Sequence, residues 1–149
     1  MQDAKALSPA EALYRDVVLE HYRRPRNRAR LPDPDASALA RNPLCGDQVE
    51  VEVQLQDRRV HKISARTRGC SIAVAAASIM TDLIPNLPPE EVEALHAMLK
   101  EMLETGTPPK AIPRELRAFE QISELESRKR CALLPWEALF KALSLALAG

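Results

Sequence analysis

The chain has 149 residues, of which 46% are hydrophobic and only 3% aromatic, and its 21 basic and 21 acidic side chains cancel to a net charge of zero. This length predicts one compact domain over residues 1–149 with an aliphatic core. The balanced charge gives no reason to expect binding to nucleic acid or a membrane, and no apolar run approaches the length of a membrane span. The N-terminus does not resemble a secretory signal, and three widely separated cysteines do not form a disulfide framework. We therefore expect a cytoplasmic protein.

Capping signals mark the first helix. Ser8 is placed as its N-cap, Pro9 occupies the first helical position, and Glu11 can complete a capping box. We expect this helix to end before Pro25. The arginines at positions 23, 24, 26, 28 and 30 then form a local basic patch, which we interpret as a solvated loop or as a docking site for an acidic protein partner.

Alternating hydrophobicity predicts a strand in QVEVEVQLQ, a turn at Asp57-Arg58-Arg59 and a weaker partner strand in RVHKISARTRG. Residues 31–44 give only a weak signal for further short strands. Helices follow from about Ser71 to before Pro85 and over NLPPEEVEALHAMLKEMLETG. The spacing of the apolar residues predicts another helix in IPRELRAFEQISELESR, and Pro135 is expected to be at the start of the last helix. This order predicts an α+β domain, a small antiparallel sheet packed against several helices.

The cysteines lie at the boundaries of these elements. Cys45 comes just before the first predicted strand, Cys70 at the start of a helix, and Cys131 just before the last helix, after the basic run 128–130. A helix N-terminus and basic neighbours favour the thiolate, which binds soft metals and attacks electrophilic sulfur.

Asp47 adds a carboxylate two residues after Cys45, on the same side of an extended segment. Three thiolates and one carboxylate would satisfy the tetrahedral preference of zinc. However, a free cysteine is also a common small buried residue, and the spacings do not resemble the close cysteine pairs of a zinc finger. The residues alone therefore leave a metal site and three inert thiols both open.

Four segments resemble the IscU/SufU family of iron–sulfur cluster assembly proteins. RNPLCGDQVEV is similar to its Asn-Pro-x-Cys-Gly-Asp segment, RTRGCSIAVAAASIMTDLI to its second cysteine segment, and ESRKRCALLPWEAL to its third. LYRDVVLEHYRRPRNR is similar to its opening helix, so the likeness runs from about residue 12 to 143. The resemblance implies an α+β fold. It also implies that Cys45, Asp47, Cys70 and Cys131 match the family's metal and sulfur ligands.

Two departures favour the SufU branch. IscU proteins have a histidine just before the third cysteine, whereas this chain has Arg130 there. IscU proteins also carry a Leu-Pro-Pro-Val-Lys segment that an Hsp70 chaperone recognises, and this chain has ELESRKR in its place. The segment between Cys70 and Cys131 is also longer than in IscU, and Arg128 matches an arginine of SufU proteins. The resemblance therefore implies a zinc-dependent sulfur acceptor for a SufS-type cysteine desulfurase.

Three hypotheses follow. In the first, zinc organises the site, Cys45 accepts sulfur as in a sulfurtransferase, and Arg128 steers an anionic group or is a plain surface charge. In the second, Cys45, Cys70 and Cys131, with Asp47, hold a transient [2Fe–2S] cluster that passes to downstream assembly proteins or apo-targets. In the third, the domain is a zinc-stabilised interaction module. The histidines at positions 21, 61 and 96 are expected to be structural or surface residues.

Overall fold

A computed structural model describes residues 6–149. Its first helical run consists of α1 (Pro9–Leu13), a π-helical segment (Tyr14–Leu19) and α2 (Glu20–Arg23). The Ser8 hydroxyl accepts a hydrogen bond of 3.1 Å from the Glu11 N–H, and the Glu11 carboxylate accepts one of 2.9 Å from the Ser8 N–H. The predicted capping box and the helix end before Pro25 are therefore confirmed.

The sheet contains β1 (Ala36–Arg41), β2 (Gln48–Gln56) and β3 (Arg59–Arg68), in the antiparallel order β1-β2-β3. The predicted β2 and β3 are confirmed, and the turn between them has Asp57 and Arg58 at φ 54° and 60°. β1 gave only a weak signal because alanines fill its inner face, while its one large apolar residue, Leu39, is 39% exposed. Cys45 consequently follows β1 and precedes β2, rather than preceding the first strand.

The remaining helices build the core on the sheet. They are α3 (Ser71–Leu83), α4 (Pro89–Thr105), α5 (Arg114–Arg117) with a 3₁₀ turn (Ala118–Ile122), and α6 (Glu126–Ala148). α6 packs on β1, β2 and α3, and α3 packs on β3 and α2. The C-cap of α4 is Gly106, whose φ of 78° lies in the left-handed region that glycine tolerates best. The predicted α+β class is confirmed.

The helix predicted in IPRELRAFEQISELESR is wrong as a single element. Leu116, Phe119 and Ile122 are buried as expected, but Leu125 is 52% exposed. These positions are three residues apart, which matches the period of a 3₁₀ helix better than the 3.6 residues of an α-helix. The segment accordingly forms α5 and the 3₁₀ turn, and α6 begins at Glu126.

Pro135 does not open the last helix, because it lies inside α6. Cys131 therefore sits in the second turn of α6 and not before a helix. Proline lacks the N–H that an α-helix would place against the carbonyl four residues earlier, here that of Cys131. Burial of Trp136 and Leu139 on the same helix favours its continuation through the proline.

α6 is also longer and more apolar than the sequence analysis allowed. By length and composition alone it could cross a membrane, although half of its most apolar stretch is buried inside the protein. Its residues Ala132, Leu134, Ala138 and Leu143 belong to the hydrophobic core with the sheet and α3. A core helix of a globular domain has this arrangement, so its composition gives only weak support for a membrane span.

Candidate metal centre

A tight loop between β1 and β2 presents Cys45 to the solvent. The Asn42 N–H donates to the Asp47 carbonyl at 2.8 Å, and the Gly46 N–H donates to the Asn42 carbonyl at 2.8 Å. The Asn42 side chain also accepts a hydrogen bond of 3.1 Å from the Leu44 N–H. Gly46 adopts φ 79°, in the left-handed region that glycine tolerates best. The loop thus exposes Cys45 and turns Asp47 inward, where only 4% of it is exposed.

The Asp47 carboxylate is satisfied on one side only. Its Oδ1 atom accepts a hydrogen bond of 3.1 Å from the backbone N–H of Cys70, the N-cap residue of α3. Its Oδ2 atom is buried and has no hydrogen-bond partner. A buried polar atom without a partner is costly in a native protein, so this oxygen fits a site that receives a ligand.

The structure brings three of the four predicted ligands into one cluster. The Sγ atoms of Cys45 and Cys131 and a carboxylate oxygen of Asp47 all lie within 4.8 Å of one another. Cys70 is outside this cluster, but it lines the same cleft of about 520 Å³. Sulfur and carboxylate oxygen are zinc ligands, so the donor set and the unpaired Oδ2 atom both fit a metal ion.

Burial and hydrogen bonding act in opposite directions on the ionisable groups. Burial raises the pKa of the Asp47 carboxyl, but the nearby thiols of Cys70, Cys131 and Cys45 and the backbone N–H of Cys70 outweigh it and hold the pKa below its usual value. Burial, followed by the neighbouring side chains of Cys70 and Asp47, raises the pKa of the Cys131 thiol. The expectation that its basic neighbours favour the Cys131 thiolate is therefore wrong for the metal-free protein, because the thiol lies inside the fold. A bound cation would favour the thiolate instead.

Arg128 and Arg130 line the cleft from α6, and both side chains are exposed. The charge and hydrogen bonding of Cys70 raise the pKa of Arg128. Guanidinium groups at this rim favour anionic ligands and anionic sulfur within the cleft. The predicted proximity of Arg128 to the cysteines is thus observed, while its role stays a prediction.

Two residues of this site were missed from the sequence. Asn42 holds the Cys45 loop, and its position before Pro43 was the available signal for a turn. Leu44, which also lines the cleft, is 77% exposed. None of the three histidines belongs to the cluster among the described residues: His21 pairs with Ser78 at 2.7 Å, His96 packs on Phe140, and His61 is exposed.

Two arginines of the predicted basic patch at residues 23–30 form ion pairs within the protein. Arg26 contacts the Asp82 carboxylate at 2.6 Å, and Arg30 lies 3.5 Å from Glu50 and 3.7 Å from Glu52. The loop that follows α2 therefore contacts α3 through Asp82 and contacts β2 through Glu50 and Glu52. The patch is therefore partly neutralised, which weakens its interpretation as a docking site.

The fold and site define a small α+β protein with a cleft in which cysteines and an aspartate could hold a metal ion. The family model for the NifU-like N terminal domain matches residues 13–145. The chain therefore belongs to the NifU-like N-terminal domain family, which includes the IscU and SufU proteins of iron–sulfur cluster assembly. The resemblance found in the sequence is confirmed, and so is iron–sulfur cluster biogenesis as the process.

Two relatives illustrate the two branches. The chain is 30% identical to the zinc-dependent sulfurtransferase SufU of Bacillus subtilis, over 90% of this chain and 91% of that protein. It is 31% identical to the iron–sulfur cluster assembly scaffold protein IscU of Streptococcus pyogenes, over 93% of this chain and 87% of that one. A crystal structure of a nitrogen-fixing NifU-like protein (N-terminal) from Brucella abortus has the same fold. Its TM-score is 0.80 at 20% identity, over 91% of this chain and 98% of that chain.

Proposed function

We propose that this protein accepts sulfur on Cys45 from a SufS-type cysteine desulfurase, as a zinc-dependent sulfurtransferase would. One observation carries the proposal: an exposed thiol, Cys45, lies within 4.8 Å of a buried carboxylate and a buried thiol. Such a site combines a nucleophile open to a partner with donors suited to a metal. The likeness to a zinc-dependent sulfurtransferase over 90% of the chain supports the same activity.

Asp47, Cys70 and Cys131, together with Cys45, would hold the zinc ion. The supporting observations are the unpaired Oδ2 atom of Asp47 and the position of all four side chains in one cleft. When bound, zinc would keep the thiols deprotonated and reduce the motion of the Cys45 loop. Cys70, which lines the same cleft, would complete the set as the fourth donor.

In the sulfur transfer, the Cys45 thiolate attacks the terminal sulfur of a persulfide on the desulfurase. A new S–S bond forms at Cys45, and the S–S bond of the desulfurase breaks. The desulfurase cysteine leaves as a thiolate with the bonding electron pair, so the exchange needs no outside oxidant or reductant.

Exposure decides which cysteine is the acceptor. Cys45 lies on the irregular loop and is exposed, whereas only 3% of Cys131 is exposed, and the Cys131 thiol donates to the Ser127 carbonyl at 3.4 Å. A partner's persulfide can reach Cys45 without opening the core. Arg128, at the rim of the cleft, would attract the anionic persulfide. We also infer a cytoplasmic setting, where thiols stay reduced.

The test is mass spectrometry of the protein after incubation with a SufS-type desulfurase and cysteine. The proposal predicts the mass of one added sulfur atom on the peptide that contains Cys45, and none in the Cys45→Ala variant. Labelling confined to another cysteine, or undiminished labelling of the variant, would contradict the assignment.

A second candidate is a scaffold on which a [2Fe–2S] cluster is assembled as cargo for apo-target proteins. Three cysteines in one cleft suit such a cluster, and the similarity to a scaffold protein over 93% of the chain favours it. Anaerobic incubation with iron and sulfide, followed by visible spectroscopy, tests this function. A stable cluster spectrum that transfers to an apo-ferredoxin would support the scaffold, and the absence of a spectrum would leave sulfur acceptance as the better account.

A further inference from the structure

Gly69, between the end of β3 and Cys70, lies against the carboxylate of Asp47. A Cβ atom on Gly69 would stand 2.4 Å from Oδ1, 2.5 Å from Cγ and 2.9 Å from Cβ of Asp47. Side-chain carbons do not approach other atoms this closely, so the Asp47 side chain, or the segment that carries it, would have to move. Gly69 does not adopt a left-handed backbone. The contact with Asp47, and not backbone conformation, therefore requires glycine here.

Gly46, the other glycine beside a cysteine, is a different case. Its φ is 79°, yet a Cβ atom there would meet nothing within 4 Å. Gly46 serves the shape of the loop, whereas Gly69 leaves room for a particular side chain. Glycines that look alike in the sequence thus have separate physical causes.

We propose that Gly69 is a positioning residue for the metal-binding carboxylate, an inference that rests on the proposed metal site. Two constraints act on Asp47 from the same chain segment. The Cys70 N–H donates to Oδ1 at 3.1 Å, and the bare Cα of Gly69 leaves room for the carboxylate beside it. Asp47 lines the same cleft as Cys45 and Cys131, so its unpaired Oδ2 atom stays available to a metal ion there.

The inference predicts that Gly69→Ala weakens zinc binding by displacing the carboxylate. Loss of support for a metal ligand typically lowers affinity by about 10- to 100-fold. The zinc dissociation constant is measured by competition with a chromophoric chelator, for the wild type, Gly69→Ala, Asp47→Gly and the double variant. Asp47→Gly removes all three crowded atoms, so Gly69→Ala should cause no further loss of affinity in that background. An equal loss in both backgrounds would overturn the inference.

Unfolding of the metal-free variants provides an independent readout. Gly69→Ala should lower the melting temperature when Asp47 is present, and the double variant should lose little relative to Asp47→Gly. If Gly69→Ala fails to fold, Asp47→Gly should rescue it, and failure of this rescue would contradict the contact.

Gly106→Ala is the matched control. It makes the same substitution at a glycine that does not line the cleft and has φ 78°, so it should lower stability without changing zinc affinity. A wild type that does not bind zinc would contradict the proposed function. The metal-free unfolding experiment would still show whether Gly69 has to be small because it contacts Asp47.

Discussion

The backbone N–H of Cys70 donates a hydrogen bond of 3.1 Å to Oδ1 of Asp47 and so joins the start of α3 to the loop that carries Cys45. The bond joins two cysteine segments that are far apart in the sequence through one carboxylate. The other carboxylate oxygen is buried without a partner. One oxygen of Asp47 thus holds two segments of the fold together, while the other is available to a metal ion.

The first prediction concerns the charge of Asp47. Asp47→Asn keeps an oxygen that can accept the Cys70 hydrogen bond but replaces the anionic donor for the metal with an amide. We expect zinc affinity to fall by about tenfold or more while the fold is retained. Chelator competition measures the affinity, and circular dichroism checks the fold. Asp57→Asn, in the exposed turn between β2 and β3, is the control, and an Asp47→Asn protein with unchanged affinity would remove Asp47 from the ligand set.

Removal of zinc should lower stability without unfolding the protein. The hydrophobic core extends from Val17 to Leu143, and among the described residues Cys131 is its one buried member that lines the cleft. At a free zinc concentration of about 100 times the dissociation constant, binding adds about 2.7 kcal/mol, so a strong chelator should lower the melting temperature by several degrees. Thermal melts followed by circular dichroism measure this shift. Complete unfolding on chelation at room temperature would instead favour a zinc-stabilised interaction module.

Stability should also fall as the pH drops below neutrality, because of His21. Burial, and then the charge of Arg26, lower the pKa of His21. The Arg26 guanidinium lies 3.3 Å from Nε2, and Nδ1 lies 2.7 Å from the Ser78 hydroxyl, so neutral His21 fits this site. The unfolded chain then takes up a proton first. The contribution of His21 is complete above its unfolded pKa of about 6.5 and is lost as the pH falls toward its lower folded pKa.

Denaturant melts of the metal-free protein between about pH 7 and 5 test this prediction. His21→Gln should reduce the slope of unfolding free energy against pH, by at most about 1.4 kcal/mol per pH unit. His96 also has a pKa lowered by burial, so some slope should remain. His61→Gln, at an exposed position of β3, controls for the loss of a histidine as such, and a His21→Gln profile equal to that of the wild type would refute the assignment.

Arg128 should increase the rate of sulfur transfer through its charge. Its side chain is exposed at the rim of the cleft, so we expect Arg128→Ala to slow transfer by up to about tenfold at low ionic strength and by less in high salt. Transfer rates at several salt concentrations measure the effect. Arg117→Ala removes an exposed arginine outside the cleft, and equal effects of the two variants would reduce Arg128 to an ordinary surface charge.

The fold was predictable from the sequence where local pattern and packing agree. The alternation in QVEVEVQLQ predicted β2 because its valines are fully buried. β1 gave only a weak signal because its inner residues are alanines, which contribute little to a hydrophobic pattern. Pro135 was expected to begin a helix because proline is over-represented at the first helical position. In the structure it lies inside α6, where packing of the helix on the sheet outweighs the missing hydrogen bond.

The site was predictable only through the similarity of whole motifs. Composition left metal binding and inert thiols both open, and the cysteine spacings matched no simple pattern. The fold supplies what is absent from the sequence pattern: β1 and β2 deliver Cys45 and Asp47, while α6 brings Cys131 to them. The contact between Gly69 and Asp47 could not be foreseen, because it joins residues on different segments.

The most direct test of the central claim is the turnover of a SufS-type cysteine desulfurase, measured as alanine released from cysteine, with and without the zinc-loaded protein. If Cys45 accepts sulfur at a zinc-supported site, the wild type should strongly stimulate turnover. Stimulation should disappear in Cys45→Ala and after zinc removal. Absence of stimulation by a folded, zinc-loaded wild type, or full stimulation by Cys45→Ala, would contradict the account.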